Sequence, residues 1–135
     1  MTENRYQNFI ADETLRINFG DKVTSVQDVC HGLAKESGWW PVLPPSRQDV
    51  SEKLLLIVTE IAEATEGHRK DLMDDKLPHR KMIEVELADA FIRTCDLAGA
   101  MGLDLGGAVA EKLAYNATRA DHRPENRALE GGKKY

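Results

Sequence analysis

The chain has 135 residues, of which 41 % are hydrophobic and 30 % charged, and its formal net charge is −5. This length suits one domain, the composition is that of a globular protein, and the acidic balance argues against a nucleic-acid-binding surface. No apolar run approaches the ~20 residues of a membrane span, and the acid-containing start MTENRYQNFIADE lacks the apolar stretch of a signal peptide. We therefore expect a cytoplasmic protein that binds neither nucleic acid nor membrane.

Residues 1–23 show no sustained hydrophobic period and are predicted to form an irregular N-terminal segment. Thr24 or Ser25 can cap a first helix that continues to about Ser37, and Gly38 suits its end. The next segment, WWPVLPPS, has three prolines in eight residues and is predicted to be a loop.

A second helix is predicted to begin after Ser46, because Asp49 follows three residues later and completes a capping box. This helix is expected to run to about Lys70. The polar segment DLMDDKLP then has the composition of a turn.

A third helix is predicted from about His79 to Met101. Asp104 can cap a fourth helix over about residues 105–120, and residues 121–135 are predicted to be a loop-like, flexible basic tail. Strand signals are weak throughout, so the predicted fold is an all-α four-helix bundle.

The whole chain, residues 1–135, is predicted to be a single domain with its helical core at 24–120. Cys30 and Cys95 fall within helical patterns and lack metal-ligand spacing, so we interpret them as small core residues in a reducing compartment.

Two pairs of carboxylates interrupt apolar helical runs. Glu60 and Glu63 lie in LLLIVTEIAEA, and Glu86 and Asp89 lie in VELADAFI. Residues three apart share one helix face, so each pair projects two acids from one side. Partly buried carboxylates repel one another and lose hydration unless a cation joins them. The pattern predicts a metal site between two helices.

The predicted cofactor is Mg²⁺, with Mn²⁺ as the alternative, because all-oxygen ligation favours these ions. Di-iron sites in helical bundles use Glu-x-x-His motifs, and no histidine follows the four acids at that spacing. Magnesium sites usually leave positions open for water and phosphates, which indicates phosphate chemistry.

Basic and amide side chains on the fourth helix agree with that chemistry. Lys112, Asn116 and Arg119 are spaced four and three apart and share one face. A lysine, an amide and an arginine form a reasonable grip on polyphosphate, although a solvated stripe is the alternative interpretation.

The combination E-x-x-E, 22 residues, E-x-x-D, then K-x-x-x-N-x-x-R and a terminal GGKK, resembles the MazG-like all-α nucleoside triphosphate pyrophosphatases. The motif residues are Glu60, Glu63, Glu86, Asp89, Lys112, Asn116, Arg119 and 131–134. The resemblance spans about residues 48–134, and the four acids are its most specific part.

The resemblance implies Mg²⁺-dependent hydrolysis of (deoxy)nucleoside triphosphates to the monophosphate and pyrophosphate, in nucleotide pool control or house-cleaning. The four acids would hold the metal, and Glu63 is our choice to activate the attacking water. Arg93, one turn after Asp89, would touch a phosphate or form a salt bridge. Lys133, in the basic tail, would cover the triphosphate or remain solvated.

Base recognition is assigned to residues around the proline loop. Trp39 and Trp40 could stack on a base or anchor the core. His31, near the same end of the first helix, could hydrogen-bond a base edge or be a partly buried structural residue.

The apolar third helix leaves more hydrophobic surface than one small bundle covers, so we expect a homodimer or homotetramer. Two alternatives stay open for function. One is a phosphoribosyl-ATP pyrophosphatase, which the same superfamily contains. The other is a non-catalytic nucleotide-binding or interaction module.

Overall fold

The computed structural model describes residues 2–119, 121 and 123–133, with side chains from residue 7 onward. Within these residues the fold is all-α, as predicted, and contains six helices and no strand. The helices are α1 (Thr2–Ala11), α2 (Glu13–Glu36), α3 (Arg47–Arg69), α4 (Met82–Ala100), α5 (Leu105–Thr118) and α6 (Pro124–Arg127). None of these helices combines the length and apolarity needed to cross a membrane.

The prediction that residues 1–23 are irregular is wrong, because α1 and the first half of α2 occupy them. Asp12 separates the two helices, and its Oδ1 accepts hydrogen bonds from the backbone N–H groups of Thr14 at 2.8 Å and Leu15 at 3.3 Å. This carboxylate caps α2 twelve residues before Thr24, the earlier of the two predicted caps. Phe9 and Phe19 meet edge to face with ring centroids 5.4 Å apart.

The predicted caps of the later helices are confirmed. Ser46 and Asp49 form the reciprocal capping box of α3. The Asp104 carboxylate accepts from the Gly107 N–H at 2.9 Å at the start of α5. Gly38 and Gly102 follow α2 and α4 with φ of 80° and 66°, a left-handed conformation that glycine adopts at little cost.

Two further boundaries differ from the prediction. Helix α4 begins at Met82 rather than at about His79, because the buried Asp74 carboxylate accepts backbone N–H bonds and holds the preceding residues in a loop. An isolated bridge between Met73 and Lys81 closes that loop. The tail is not all loop, since Pro124 starts the one-turn helix α6. The described fold thus has two helices more than the predicted four. Of the predicted fourth helix and tail, residues 120, 122, 134 and 135 lie outside the description.

The chain divides into two compact units. Unit 1 comprises Met1–Thr24 and Asp104–Tyr135, and unit 2 comprises Ser25–Leu103. In unit 1, a Cβ at Gly106 would overlap the Gly20 carbonyl, so two helices approach closely at these glycines.

Unit 2 contains α3 and α4, which pack as an antiparallel pair: Gly67 lies against Met82, and Glu60 lies against Arg93. Its core is small. Trp40, Leu97 and Ala100 form the buried cluster, and Ala34, Val50 and Ile57 pack against it.

Candidate functional site

The face of α3 that packs against α4 carries Glu60, Ala64 and Gly67, and all three are buried. These residues are spaced four and three apart, as one helix face requires. A Cβ at Gly67 would lie 2.7 Å from the Met82 Cγ, so the helices come closer there than any larger residue allows. The small side chains bring α4 over Glu60 and reduce its exposure to 6 %.

Three of the four predicted acids converge in this packed region, and Asp89 is not among them. One carboxylate oxygen from each of Glu60, Glu63 and Glu86 lies within 4.8 Å of the others. Glu60 is buried, Glu86 is half-buried, and Glu63 is exposed. Oxygen atoms at this separation can share a hard divalent cation, and the exposed side leaves it accessible.

Glu86 titrates far from its ordinary value. Burial, a hydrogen bond with Glu60 and the negative charges of the neighbouring carboxylates raise the pKa of Glu86 to about 7. Burial and the charge of Glu60 also raise the pKa of Asp89, although the Arg93 guanidinium acts in the opposite direction. The cluster therefore retains a proton at neutral pH that a bound cation would displace.

Arg93 has a different partner from the predicted phosphate. Its Nε donates a hydrogen bond of 2.6 Å to Glu60 Oε1. This is the salt bridge that the sequence left as the alternative, and its acceptor, Glu60, is buried. None of the described residues accepts from the two Nη groups of Arg93, so these groups can still bind an anion.

A cavity of about 370 Å³ lies beside the carboxylates. Asp89 and Arg93 line it, which joins it to the acidic cluster. The remaining lining residues are Cys30, Leu33, Ala34, Ser37, Trp39, Lys53, Ile92 and Asp96. Aromatic, cationic and acidic side chains therefore converge next to the candidate metal site.

The two tryptophans play different parts. Trp39 is 63 % exposed and lines the cavity. Trp40 is 9 % exposed, belongs to the core cluster and does not line the cavity. The structure thus places Trp40 as a core anchor, the second of its two predicted roles.

His31 lies behind the cavity wall. Its Nδ1 is 2.9 Å from Asp96 Oδ1, and its ring meets Trp40 edge to face at 6.2 Å. The side chain is 12 % exposed and does not line the cavity, so a partly buried structural role fits this histidine.

Sequence reasoning missed Asp96 and Lys53. Asp96 lies seven residues after Asp89, and Lys53 lies seven residues before Glu60, so each is two turns from a predicted ligand. That spacing would have placed both near the site faces. The Lys53 ammonium lies 5.5 Å from the Trp39 ring centroid and 4.8 Å from that of Trp40.

The predicted phosphate-binding residues of the fourth helix and the tail belong to unit 1, whereas Arg93 and the carboxylates belong to unit 2. Lys112 and Asn116 line a shallow depression of about 420 Å³, and the Lys112 ammonium lies 4.8 Å from the Tyr115 ring centroid. Among the described side chains, Asn116 Oδ1 is buried without a hydrogen-bond partner. Arg119 makes a two-pronged pair with Asp121, with Nε and Nη2 donating at 2.9 and 2.5 Å.

Lys133 is exposed in unit 1, and its backbone carbonyl accepts from Arg127 Nε at 3.2 Å.

Both cysteines are free thiols in contact with each other, and burial raises the pKa of Cys95.

No protein-family model matches this chain, and comparison with curated proteins and with solved structures finds no match. The family resemblance therefore depends on the motif residues alone.

Proposed function

We propose that this protein is a Mg²⁺-dependent pyrophosphohydrolase that converts (deoxy)nucleoside triphosphates to the monophosphate and pyrophosphate. The observation that carries the proposal is the convergence of Glu60, Glu63 and Glu86, whose oxygens lie within 4.8 Å of one another beside a cavity. A MazG-like bundle is the corresponding fold proposal.

The residues present fit the metal. The donors are all carboxylate oxygens, which Mg²⁺ and Mn²⁺ prefer. Burial, a hydrogen bond with Glu60 and the neighbouring carboxylate charges raise the pKa of Glu86 to about 7, and a bound cation would oppose this rise. Glu60, Glu63 and Glu86 would hold the ion, with Asp89 beside them. When bound, it would supply positive charge to phosphate oxygens and lower the pKa of a water molecule.

The protein side chains have separable tasks. Glu63 is the exposed acid of the cluster, so it can reach a water molecule and accept its proton. Arg93 fixes the orientation of Glu60 through the 2.6 Å hydrogen bond. Arg93 lines the cavity, and its Nη groups can contact a phosphate oxygen as charge develops.

The cavity suits the nucleoside. Trp39 offers an exposed indole for base stacking, while His31 and Trp40 support the wall from behind. Lys112, Asn116, Arg119 and Lys133 keep their assignment to triphosphate binding, because they supply cationic and amide donors.

A homodimer or homotetramer is part of the proposal. Large apolar side chains on α3 are exposed at helical spacing: Leu54, Val58 and Ile61. On α4, Leu87 and Phe91 are also exposed and lie four residues apart. The buried hydrophobic residues are mostly alanines, so one copy buries little apolar area and gains from a partner. Light scattering on the purified chain should give a multiple of 15.1 kDa.

A substrate panel tests the function. Each canonical dNTP and NTP, and phosphoribosyl-ATP, would be incubated with Mg²⁺ or with EDTA, and the products separated by chromatography. Mg²⁺-dependent formation of monophosphate and pyrophosphate is expected from at least one nucleoside triphosphate. Turnover of phosphoribosyl-ATP alone would replace the proposal with that activity, and metal binding without any turnover would favour a binding module.

A further inference from the structure

Asp96 is an acidic residue of the cavity that has no part in the metal cluster. It lies on α4 seven residues after Asp89, two helical turns away, and lines the same cavity. Its side chain is only 15 % exposed. A carboxylate held in such a place must be balanced by hydrogen-bond donors.

One oxygen of Asp96 is fully used by the protein. Oδ1 accepts from Trp40 Nε1 at 2.7 Å and lies 2.9 Å from His31 Nδ1. Because a carboxylate only accepts, His31 carries its proton on Nδ1. Trp40 is packed in the core, and a Cβ at Gly99 would overlap the His31 side chain, so both donors are held rigidly.

The other oxygen is left for a ligand. No described residue donates to Asp96 Oδ2, and Asp96 is one of the residues that line the cavity. A partly desolvated acceptor in that position favours a ligand N–H and disfavours a ligand carbonyl. Two further groups of the same wall bear on the ligand: Trp39 offers a stacking surface, and Lys53 is a donor.

These contacts describe the edge of a particular class of base. We propose that Asp96 makes the cavity selective for bases whose Watson–Crick edge carries an exocyclic amine beside an unprotonated ring nitrogen, namely cytosine and adenine. The amine donates to Asp96 Oδ2, and Lys53 donates to the ring nitrogen. Uracil, thymine and hypoxanthine present a carbonyl where the amine would be, which the carboxylate repels.

Guanine is disfavoured for a related reason. Its two adjacent N–H donors match both oxygens of a carboxylate, but Oδ1 is already committed to His31 and Trp40. This inference rests on the proposed pyrophosphohydrolase function and adds the substrate class to it.

Isosteric substrate pairs test the inference in the unmodified protein. Values of kcat/KM would be measured with Mg²⁺ for dCTP against dUTP and for dATP against dITP. We expect the amino member of each pair to be preferred by about tenfold or more. Equal kcat/KM within both pairs, or preference for the carbonyl members, would overturn the inference and leave the hydrolase proposal intact. Hydrolysis of no triphosphate would overturn both.

The variant Asp96→Asn provides the reverse experiment. The asparagine Oδ1 can still accept from His31 and Trp40, while its amide N–H₂ replaces the acceptor Oδ2 with a donor. The preference within each pair should fall at least tenfold or invert. Asp28→Asn, on an exposed part of α2, is the matched control and should keep the original preference. An unaltered preference in folded Asp96→Asn would overturn the role of Asp96. If this variant fails to fold, the comparison of substrate pairs in the unmodified protein decides whether the inference holds.

Discussion

Arg93 Nε and Glu60 Oε1 are 2.6 Å apart, and this contact joins α4 to the most buried acid of the cluster. The guanidinium compensates one negative charge of a group of four neighbouring carboxylates. Burial, a hydrogen bond with Glu60 and the charges of the other carboxylates nevertheless raise the pKa of Glu86 to about 7. A divalent cation would offset those carboxylate charges.

Replacing Arg93 with alanine should destabilise the metal-free protein by about 1–3 kcal/mol, because Glu60 then stays buried without its partner. Saturating Mg²⁺ should recover most of the lost thermal midpoint, since the cation replaces the guanidinium charge. Differential scanning fluorimetry with Mg²⁺ and with EDTA measures both effects. Arg80→Ala, which removes an exposed pair with Glu84, is the control and should leave the midpoint unchanged. If Arg93→Ala lowers the thermal midpoint equally with and without Mg²⁺, the metal does not compensate for the lost guanidinium.

Metal affinity should depend on pH through Glu86. Its pKa of about 7 means that cation binding releases a proton below neutrality. The Mg²⁺ affinity should therefore rise with pH by up to about tenfold per unit and level off above pH ~7. Isothermal titration calorimetry at pH 6, 7 and 8 in buffers of different ionisation enthalpy measures the affinity and the released proton. Constant affinity over this range would contradict a protonated Glu86.

The stability of the metal-free protein should change in the opposite direction. The folded state holds the Glu86 proton up to pH ~7, whereas the unfolded state loses it near the ordinary value of 4.5. Since the folded state binds more protons between these values, stability should decrease as pH rises from 4.5 to about 7. Glu86→Gln should flatten this dependence and stabilise the metal-free fold by about 1 kcal/mol at pH 8. Urea unfolding in EDTA is the measurement, and a steeper dependence in the variant would refute the assignment.

Glu63→Gln should abolish turnover with little change in the thermal midpoint, because Glu63 is exposed and its proposed task is to accept a proton from water. Product chromatography gives the rate, and fluorimetry checks the fold. Glu66→Gln is a matched control one turn along α3, where the acid pairs with Arg69 and Lys70. Activity of Glu63→Gln within twofold of the original would remove this residue from the mechanism.

Arg119→Ala should raise KM by about tenfold while moving the thermal midpoint little, since the arginine is assigned to the triphosphate. Asp121→Asn removes the competing carboxylate and should lower KM or leave it unchanged. Steady-state kinetics on both variants separates the roles. Unfolding of Arg119→Ala with unchanged KM in the remaining folded protein would show that the pair with Asp121 is structural.

The sequence was sufficient to predict the all-α fold class and most residues of the candidate site. Serine and aspartate caps, glycine stops and apolar periodicity act over a few residues, so the bounds of α3, α5 and the end of α4 agree with prediction to within one or two residues. The two carboxylate pairs were recognisable for the same reason, because their three-residue spacing within apolar runs is a local property.

The N-terminal helices show where local signals failed. Residues 1–23 lack a clear hydrophobic period, and their helices depend on the Asp12 cap and on packing such as that of Phe9 with Phe19. In proteins most helical stability comes from tertiary packing rather than from propensity, and a local sequence pattern does not contain that packing.

Only the tertiary structure decided which partner each polar group has. Arg93 pairs with Glu60, which lies 33 positions away in the chain. His31 and Trp40 both pair with Asp96, which lies 65 and 56 positions away from them. The tertiary structure also decided that Trp39 lines the cavity while the adjacent Trp40 packs in the core. Helical spacing gives the side of a helix on which a residue lies, but the charge and the burial that it meets there come from whichever element packs against that side.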